Sequence, residues 1–334
     1  MAAGVFLATT GEGVVRAGPG AAGTWDVAYL LSRRVVRCLA ADSLAPGVVY
    51  AGTEDEGVLR SDDGGLTWAP TGLARRNVRA LAVSRVTPGT LYAGTKPALV
   101  FVSHDAGATW TELVGFRRIA SRRLWFSPAE SPYRAYVQGL ACSPTDPGVV
   151  VAGIEFGAVV RSADGGATWT DHRRGALRAC HTLAFHATDG AWVYEGGGSG
   201  AGVACSADGG LTWRQPRAGL DRHYGWACAA DPADPQLWYA ALAAGAFQAH
   251  GSGNAQAAIF RARGAAGWEK LAGGLPQPIP YMPYALLTDP AAPGHLYAGL
   301  SNGDIWHTAD HGDTWTQLPL NLTAIHRTLI MLPG

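Results

Sequence analysis

The chain has 334 residues, and its 26 Lys+Arg are matched by 26 Asp+Glu, a formal net charge of zero. That balance gives no bulk attraction to nucleic acid or to an anionic membrane surface, so partners of those kinds are not expected. With 45 glycines and 20 prolines it suits a turn-rich protein, and the length allows one large all-β domain or two smaller ones.

In chain order, Val5-Phe6-Leu7-Ala8 reads as the second strand of a four-stranded unit that lacks its first strand, and the unit ends in Gly23-Thr24-Trp25. The next unit carries strands near Val36, Tyr50 and Val58 and then the octet Ser61-Asp62-Asp63-Gly64-Gly65-Leu66-Thr67-Trp68. The octet returns at Ser103–Trp110, Ser162–Trp169, Ser206–Trp213 and Thr308–Trp315, with a second worn copy ending at Trp268. Seven copies about 42 to 59 residues apart are the mark of a repeat architecture, which favours one closed domain. Between two short β runs the octet is a hairpin turn. Its Asp (Asp63, Asp105, Asp164, Asp208, Asp310) can accept from backbone N–H groups of its own turn, the Gly two residues on supplies a permissive backbone, and the Trp buries a large apolar face. The acidic alternation of a calcium loop is missing.

Innermost strands are expected to begin near Val36, Val78, Val137, Cys180, Gly225 and Pro283, and second strands to carry Tyr50, Tyr92, Val151, Tyr194, Tyr239 and Tyr297. The strand missing from the first unit has its pattern in the C-terminal tail, His326–Leu332. Five cysteines (Cys38, Cys142, Cys180, Cys205, Cys228) lie in expected strands beside Ala, Leu or Val, as buried thiols do. The stretch Met1–Val15 has no basic run and enters a strand directly, so no signal peptide is expected, and no apolar run is long enough to span a bilayer. The resulting expectation is a soluble, cytoplasmic protein.

The octet S-x-D-x-G-x-T-W resembles the Asp-box (BNR) repeat of sialidase-like β-propellers, in the WD40-YVTN-BNR-like superfamily, and the likeness covers nearly the whole chain. It implies an all-β, seven-bladed β-propeller of four-stranded antiparallel blades, the first closed by the C-terminal strand. Six or eight blades fit the spacings less well. The expected blades are 4–31 with 324–332, 34–70, 76–114, 136–172, 178–216, 223–271 and 281–319, with an insertion at 115–135. A second long loop, Ala243–Ala257, enters the sixth blade. Both insertions fall on the face of the disc opposite the boxes, where loops on a rigid scaffold commonly carry function.

Aligning the innermost strands places one residue per blade at the mouth of the central channel: Arg37, Arg79, Gln138, His181, Trp226, Tyr284 and Arg327. Glu54, Lys96 and Glu155 stand beside this column, with Glu195 and Ser301 close by and Tyr136, Tyr224 and Met282 just outside it. Three converging arginines suit a carboxylate, sulfate or phosphate. His181 and Glu155 offer acid–base capacity, Trp226 and Tyr284 flat faces for a sugar or aromatic ring, and Trp125 of the insertion a lid over the top. The alternative is a water-filled channel whose arginines simply pair with Glu54 and Glu155. No H-x-x-x-H or C-x-x-C spacing occurs, so no metal or cofactor is expected.

Sialidases bind a substrate carboxylate with three arginines and use a Tyr–Glu pair and an Asp acid; Arg37, Arg79, Arg327, Tyr284 and Glu155 are the matching residue types. Their Arg-Ile-Pro-type motif on the first strand is replaced here by Val5-Phe6-Leu7-Ala8, which argues against standard sialidase activity. Glucan-cleaving relatives use two tandem propellers, and this chain has one. The resemblance therefore implies a small anionic or carbohydrate-like ligand in an arginine-rich funnel, with a glycosidase-like hydrolase or lyase chemistry through Glu155, His181 and Tyr284 open. Sortilin-type receptors and photosystem assembly factors share the boxes and point to the other reading, a non-catalytic peptide- or protein-binding scaffold.

Overall fold

The second strand of each repeat is apolar on both faces, and such a strand is stable only when covered on both sides. In Val49–Thr53, Val150–Ile154 and Val193–Gly197 every residue is buried. The computed structural model describes residues 4–332 and satisfies this demand by stacking seven antiparallel sheets face to face in a ring. The first three residues of the N-terminal stretch lie outside the described residues. Blade 2 is typical: Val36–Ala41, Val49–Thr53, Val58–Ser61 and Ala69–Gly72 run as a meander from the channel to the rim.

Ring closure follows the expected route. Leu329–Leu332 pairs antiparallel with the first strand, Val5 opposite Leu332 and Ala8 opposite Leu329, and becomes the innermost strand of blade 1. That blade then packs on both neighbours: Phe6 meets the Tyr297 ring of blade 7 edge-on at 5.3 Å, and Leu7 and Val14 join Val36 and Leu39 of blade 2. In blades 4 and 5 the outermost strand contracts to a single pair, Arg161 with Thr170 and Cys205 with Arg214. In blade 4, just past that pair, Asp171 accepts a bond from the Ser121 amide of the insertion (2.9 Å). The five cysteines are free; Cys142, at a strand end, is half-buried and the other four are buried. Among the described residues no helix is long and apolar enough to cross a membrane.

The boxes fold as the sequence indicates. In the first, Asp63 accepts from the Thr67 amide (2.9 Å), the Thr67 hydroxyl (2.6 Å) and the Ser61 hydroxyl (2.7 Å), and Gly65 donates to the Ser61 oxygen (2.8 Å). Gly65 lies at φ +87°, and a Cβ there would stand 2.2 Å from the Leu7 side chain of blade 1. Backbone freedom and close blade contact are thus both required at that glycine.

A second function of the box was not apparent in the sequence. Its fourth residue is also left-handed in all five good copies: Gly64, Ala106, Gly165, Gly209 and His311. That turn aims the residue's carbonyl at the preceding blade. Gly64 accepts from Arg16 Nε (3.0 Å), Ala106 from Arg60 Nη1 and the Tyr50 hydroxyl (both 3.2 Å), and Gly165 from the Tyr92 hydroxyl (3.3 Å). Gly209 accepts from Arg161 Nε (2.8 Å) and His311 from Arg261 Nη1 (2.9 Å). Each box is therefore a latch between blades.

The box carboxylates are strong acids because the fold donates to them. The Thr hydroxyl and amide four residues on, helped by the box Ser, hold Asp63, Asp105 and Asp164 down at about 2. A depressed carboxyl pKa contributes stability above the unfolded value and loses it as pH falls through the folded one. Urea unfolding midpoints should therefore drop as pH is lowered from about 4 to about 2, the window between the unfolded Asp value and the folded one. A midpoint that stays level across that window would show that the box bonds add no stability.

Candidate functional site

Innermost strands would normally send alternate side chains to opposite faces, into the two neighbouring blades. Here the alternation breaks near the start of the innermost strand in every blade. The ladder slips between Val36 and Cys38, Val78 and Ala80, Val137 and Gly139, and Cys180 and Thr182. It slips again between Gly225 and Cys228 and between Pro283 and Ala285. The extra residues are Arg37, Arg79, Gln138, His181, Trp226 (with Ala227) and Tyr284, and a bulge re-aims the side chain it leaves unpaired. In blade 1 the single residue Thr9 accepts from His326 N (2.8 Å) and donates to Thr328 O (3.0 Å), which leaves Arg327 as the extra one. All seven side chains line one channel cavity of about 280 Å³.

The ring is divided by chemistry. Blades 1 to 3 supply Arg327, Arg37 and Arg79, and Lys96 of blade 3 joins them. Arg37 Nη2 bonds Glu54 Oε2 (2.6 Å), and Arg327 Nη1 reaches across the channel to Gln138 Oε1 of blade 4 (2.8 Å). Arg79 is fully buried, stacks 4.5 Å over the Tyr136 ring and donates to Glu130 Oε1. The other Glu130 oxygen lies 3.6 Å from Lys96 Nζ and 3.9 Å from Arg37 Nη2. Burial, then repulsion from Arg327 and Arg37, lowers the Arg79 pKa. For Glu130, burial pushes the carboxyl up, but the Arg79 bond and the nearby cations prevail and hold it below its ordinary value. Arg37 Nε, Arg79 Nε and Nη1, and Arg327 Nε are buried with no acceptor among the described residues, a state in which buried donors are rarely left.

Blades 5 to 7 supply the flat wall. His181 Nδ1 donates to the Gly225 carbonyl (2.7 Å), which turns Nε2 toward Glu155 Oε2 at 3.6 Å. The His181 ring lies 4.4 Å from Trp226, and Trp226 lies 4.9 Å from Tyr284. His250, at the end of the short helix Ala246–Ala249 in the blade 6 insertion, joins the Tyr224 hydroxyl (2.9 Å) to that of Tyr284 (2.7 Å). Burial, reinforced by His181 and Arg327, lowers the His250 pKa, and burial pushes the Tyr284 hydroxyl up to about 12. His250 and Tyr284 are therefore neutral at neutral pH.

All seven column residues meet, and Glu54, Lys96, Glu155 and Tyr224 stand beside them as the alignment indicated. Trp125 does not cover the channel. Its ring packs on Phe116 at 5.7 Å, Nε1 donates to the Ser121 hydroxyl (3.1 Å), and it borders a separate open hollow of about 640 Å³ on the insertion. Placing it as a lid is corrected on that ground: an indole in this loop gains more by packing on the core between blades 3 and 4 than by facing water. The residues that do reach the channel from the two insertions, Glu130 and His250, were missed. No repeat fixes their register, and the only signal was that both lie on loops overhanging the functional face.

Comparison with known proteins was made against this geometry. No protein-family model and no curated protein sequence matches the chain. Solved structures do. An ancestral GH74 enzyme superposes with TM-score 0.65 at 21% identity, over 84% of this chain and 38% of that one. The GH74 xyloglucanase from Xanthomonas campestris gives 0.61 at 21% identity, over 85% and 45%. YCF48 from Cyanidioschyzon merolae gives 0.60 at 13%, over 90% and 94%, and YCF48 bound to D1 peptide gives 0.57 at 13%, over 84% and 80%. The chain is a seven-bladed β-propeller. At these identities the likeness carries the fold alone, and this propeller spans less than half the length of the GH74 enzymes.

Glu195, counted near the ring, is instead sealed in blade 5. One of its oxygens accepts from the Leu177 amide (2.8 Å) and the other has no partner. Burial raises this carboxyl to about 8, so it is neutral in the fold where the unfolded chain ionises. A raised acid stabilises fully below the unfolded value and loses that contribution as pH rises toward the folded one. Between about pH 4.5 and 8 the wild type should lose up to about 1 kcal/mol per pH unit relative to Glu195→Gln. Parallel pH dependences for the two proteins in urea unfolding would contradict this.

Proposed function

We propose that this propeller binds a small anionic, carbohydrate-like ligand in its channel mouth. The charged group is taken by Arg37, Arg79, Arg327 and Lys96, and the flat body lies on Trp226, Tyr284 and Tyr224. The observation that carries this reading is that Arg37, Arg79 and Arg327 line one cavity opposite Trp226 and Tyr284, and that four of their nitrogens lack an acceptor among the described residues. Guanidinium groups bind planar oxyanions bidentately, and aromatic faces suit the apolar side of a sugar ring.

A second reading, turnover of the bound ligand by a hydrolase or lyase reaction, is favoured by the Glu155–His181 couple. Both side chains are buried, 3.6 Å apart, beside the aromatic wall. In that reading His181 is oriented by its Nδ1 bond, Glu155 faces its free nitrogen, and Tyr284 contributes a hydroxyl held by His250. The fold shared with YCF48 bound to D1 peptide keeps open the other reading, a non-catalytic protein that binds a peptide.

The readings separate by substitution. Arg79→Met or Arg327→Met should weaken D-glucuronate binding by about tenfold to a hundredfold in calorimetry, the worth of one charge-assisted bond. Trp226→Ala should weaken glucuronate while sparing inorganic phosphate. His181→Ala and Glu155→Gln should leave binding in place and abolish any turnover. Arginine variants that bind glucuronate, phosphate and short acidic peptides as the wild type does would remove the anion-site reading.

A further inference from the structure

We infer that the ligand group taken by the cationic half is a carboxylate, and that Glu130 is its intramolecular competitor, which the ligand must displace. This rests on the funnel being an anion site and names what that site is shaped for. Glu130 belongs to no blade. It comes from the insertion and brings one oxygen to Arg79 and the other toward Lys96 and Arg37. Each oxygen of a planar, two-oxygen anion is thus addressed by different cations.

The segment bearing it is built to let go. Its ends are fixed where Ser127 and Ala135 are buried, the latter accepting from the Ala98 amide (2.8 Å). Between them Pro128, Ala129, Ser131, Pro132, Tyr133 and Arg134 are all exposed. Among the described hydrogen bonds and ion pairs of residues 127–134, those that leave the segment all pass through Glu130: Arg79, Lys96 and Arg37 to its carboxylate, and Lys96 Nζ to its carbonyl (3.1 Å). Withdrawing the side chain disturbs no core.

Opening without a replacement is disfavoured. Glu130 is the sole acceptor Arg79 has among the described residues, and a buried guanidinium stripped of its partner is costly. Replacement by a ligand carboxylate restores the same bonds and frees the loop at once. The site therefore works by exchange of one carboxylate for another, and its apparent affinity is reduced by the fraction of molecules in which Glu130 occupies it.

Two measurements on the full chain test this, with D-glucuronate and inorganic phosphate as probes. If Glu130 fills the site in nine molecules of ten, Glu130→Ala should bind glucuronate about tenfold tighter than the wild type. Added charge alone would also tighten binding, so the second readout follows the loop. Trypsin cleavage after Arg134, mapped by mass spectrometry, should quicken when glucuronate saturates the wild type and be fast from the start in Glu130→Ala. If Glu130→Ala does not fold, Glu130→Gln, which keeps the shape without the charge, should move in the same direction. Equal affinities, or a ligand that slows or leaves unchanged the cut after Arg134, overturns the displacement. Preference for phosphate over glucuronate overturns the carboxylate assignment. Failure of both probes to bind either protein instead removes the anion-site reading on which the inference stands.

Discussion

The carbonyl of the fourth box residue holds the ring in shape. A left-handed residue at that place turns its oxygen out of the hairpin and toward the blade before it, where an arginine or tyrosine of a middle strand receives it. Four of the five good boxes use an arginine, so the bond is charge-assisted and contributes about 1.5–3 kcal/mol where it is shielded. The Asp and Ser of the box keep the turn rigid, and the glycine after the latch lets the neighbouring blade approach to contact distance. Five of the seven junctions between blades are fixed in this way, which helps to hold the channel at a set width. Any group meant to meet its counterpart across that channel depends on this setting.

The bulge is the second constraint, and it acts at the opposite end of each blade. A regular innermost strand has only two faces, and both are needed for packing on neighbouring blades: Cys38 and Val78, for example, fill the space between blades 2 and 3. An extra residue gives a third direction, along the strand axis into the channel. The fold thus provides seven functional positions without removing an apolar side chain from the core. This explains how Arg79 can be fully buried and still face the cavity, because its neighbours Val78 and Ala80 carry the packing.

How far the sequence could be read follows from these constraints. The octet repeats with few errors because the turn tolerates few substitutions, so blade number, ring closure by His326–Leu332 and the phase of each strand were all legible. The column from Arg37 to Arg327 was legible for the same reason: the boxes set the register, and a polar residue interrupts an apolar run at the same place in each blade. The bulge that accounts for that interruption left no separate mark. The insertions escape this logic. Trp125 and Glu130 lie five residues apart on one loop; the aromatic looked like the contact residue, yet it packs on Phe116 against the core of blades 3 and 4, and the carboxylate reaches Arg79 and Arg37. Loop length and composition indicate the face a segment occupies but not the atom it delivers. His250 is the same case in the blade 6 insertion, joined to two tyrosines by bonds no spacing rule anticipates.

The division of the ring has a consequence for any ligand. Three arginines and a lysine converge on one side of a narrow channel in a chain whose net charge is zero, and they face carboxylates on only two sides, Glu54 and Glu130. Burial and mutual repulsion both press on Arg79, so this half is stable only while an acceptor is present. The opposite half carries aromatic rings, with His250 kept uncharged chiefly by burial. An anion alone would leave the aromatic wall wet, whereas a neutral ring alone would leave the four orphaned guanidinium nitrogens unmet. On the reading proposed for this channel, a molecule with a charged end and a flat body would satisfy both. Its orientation would then be set by the asymmetry of the ring rather than by any single residue.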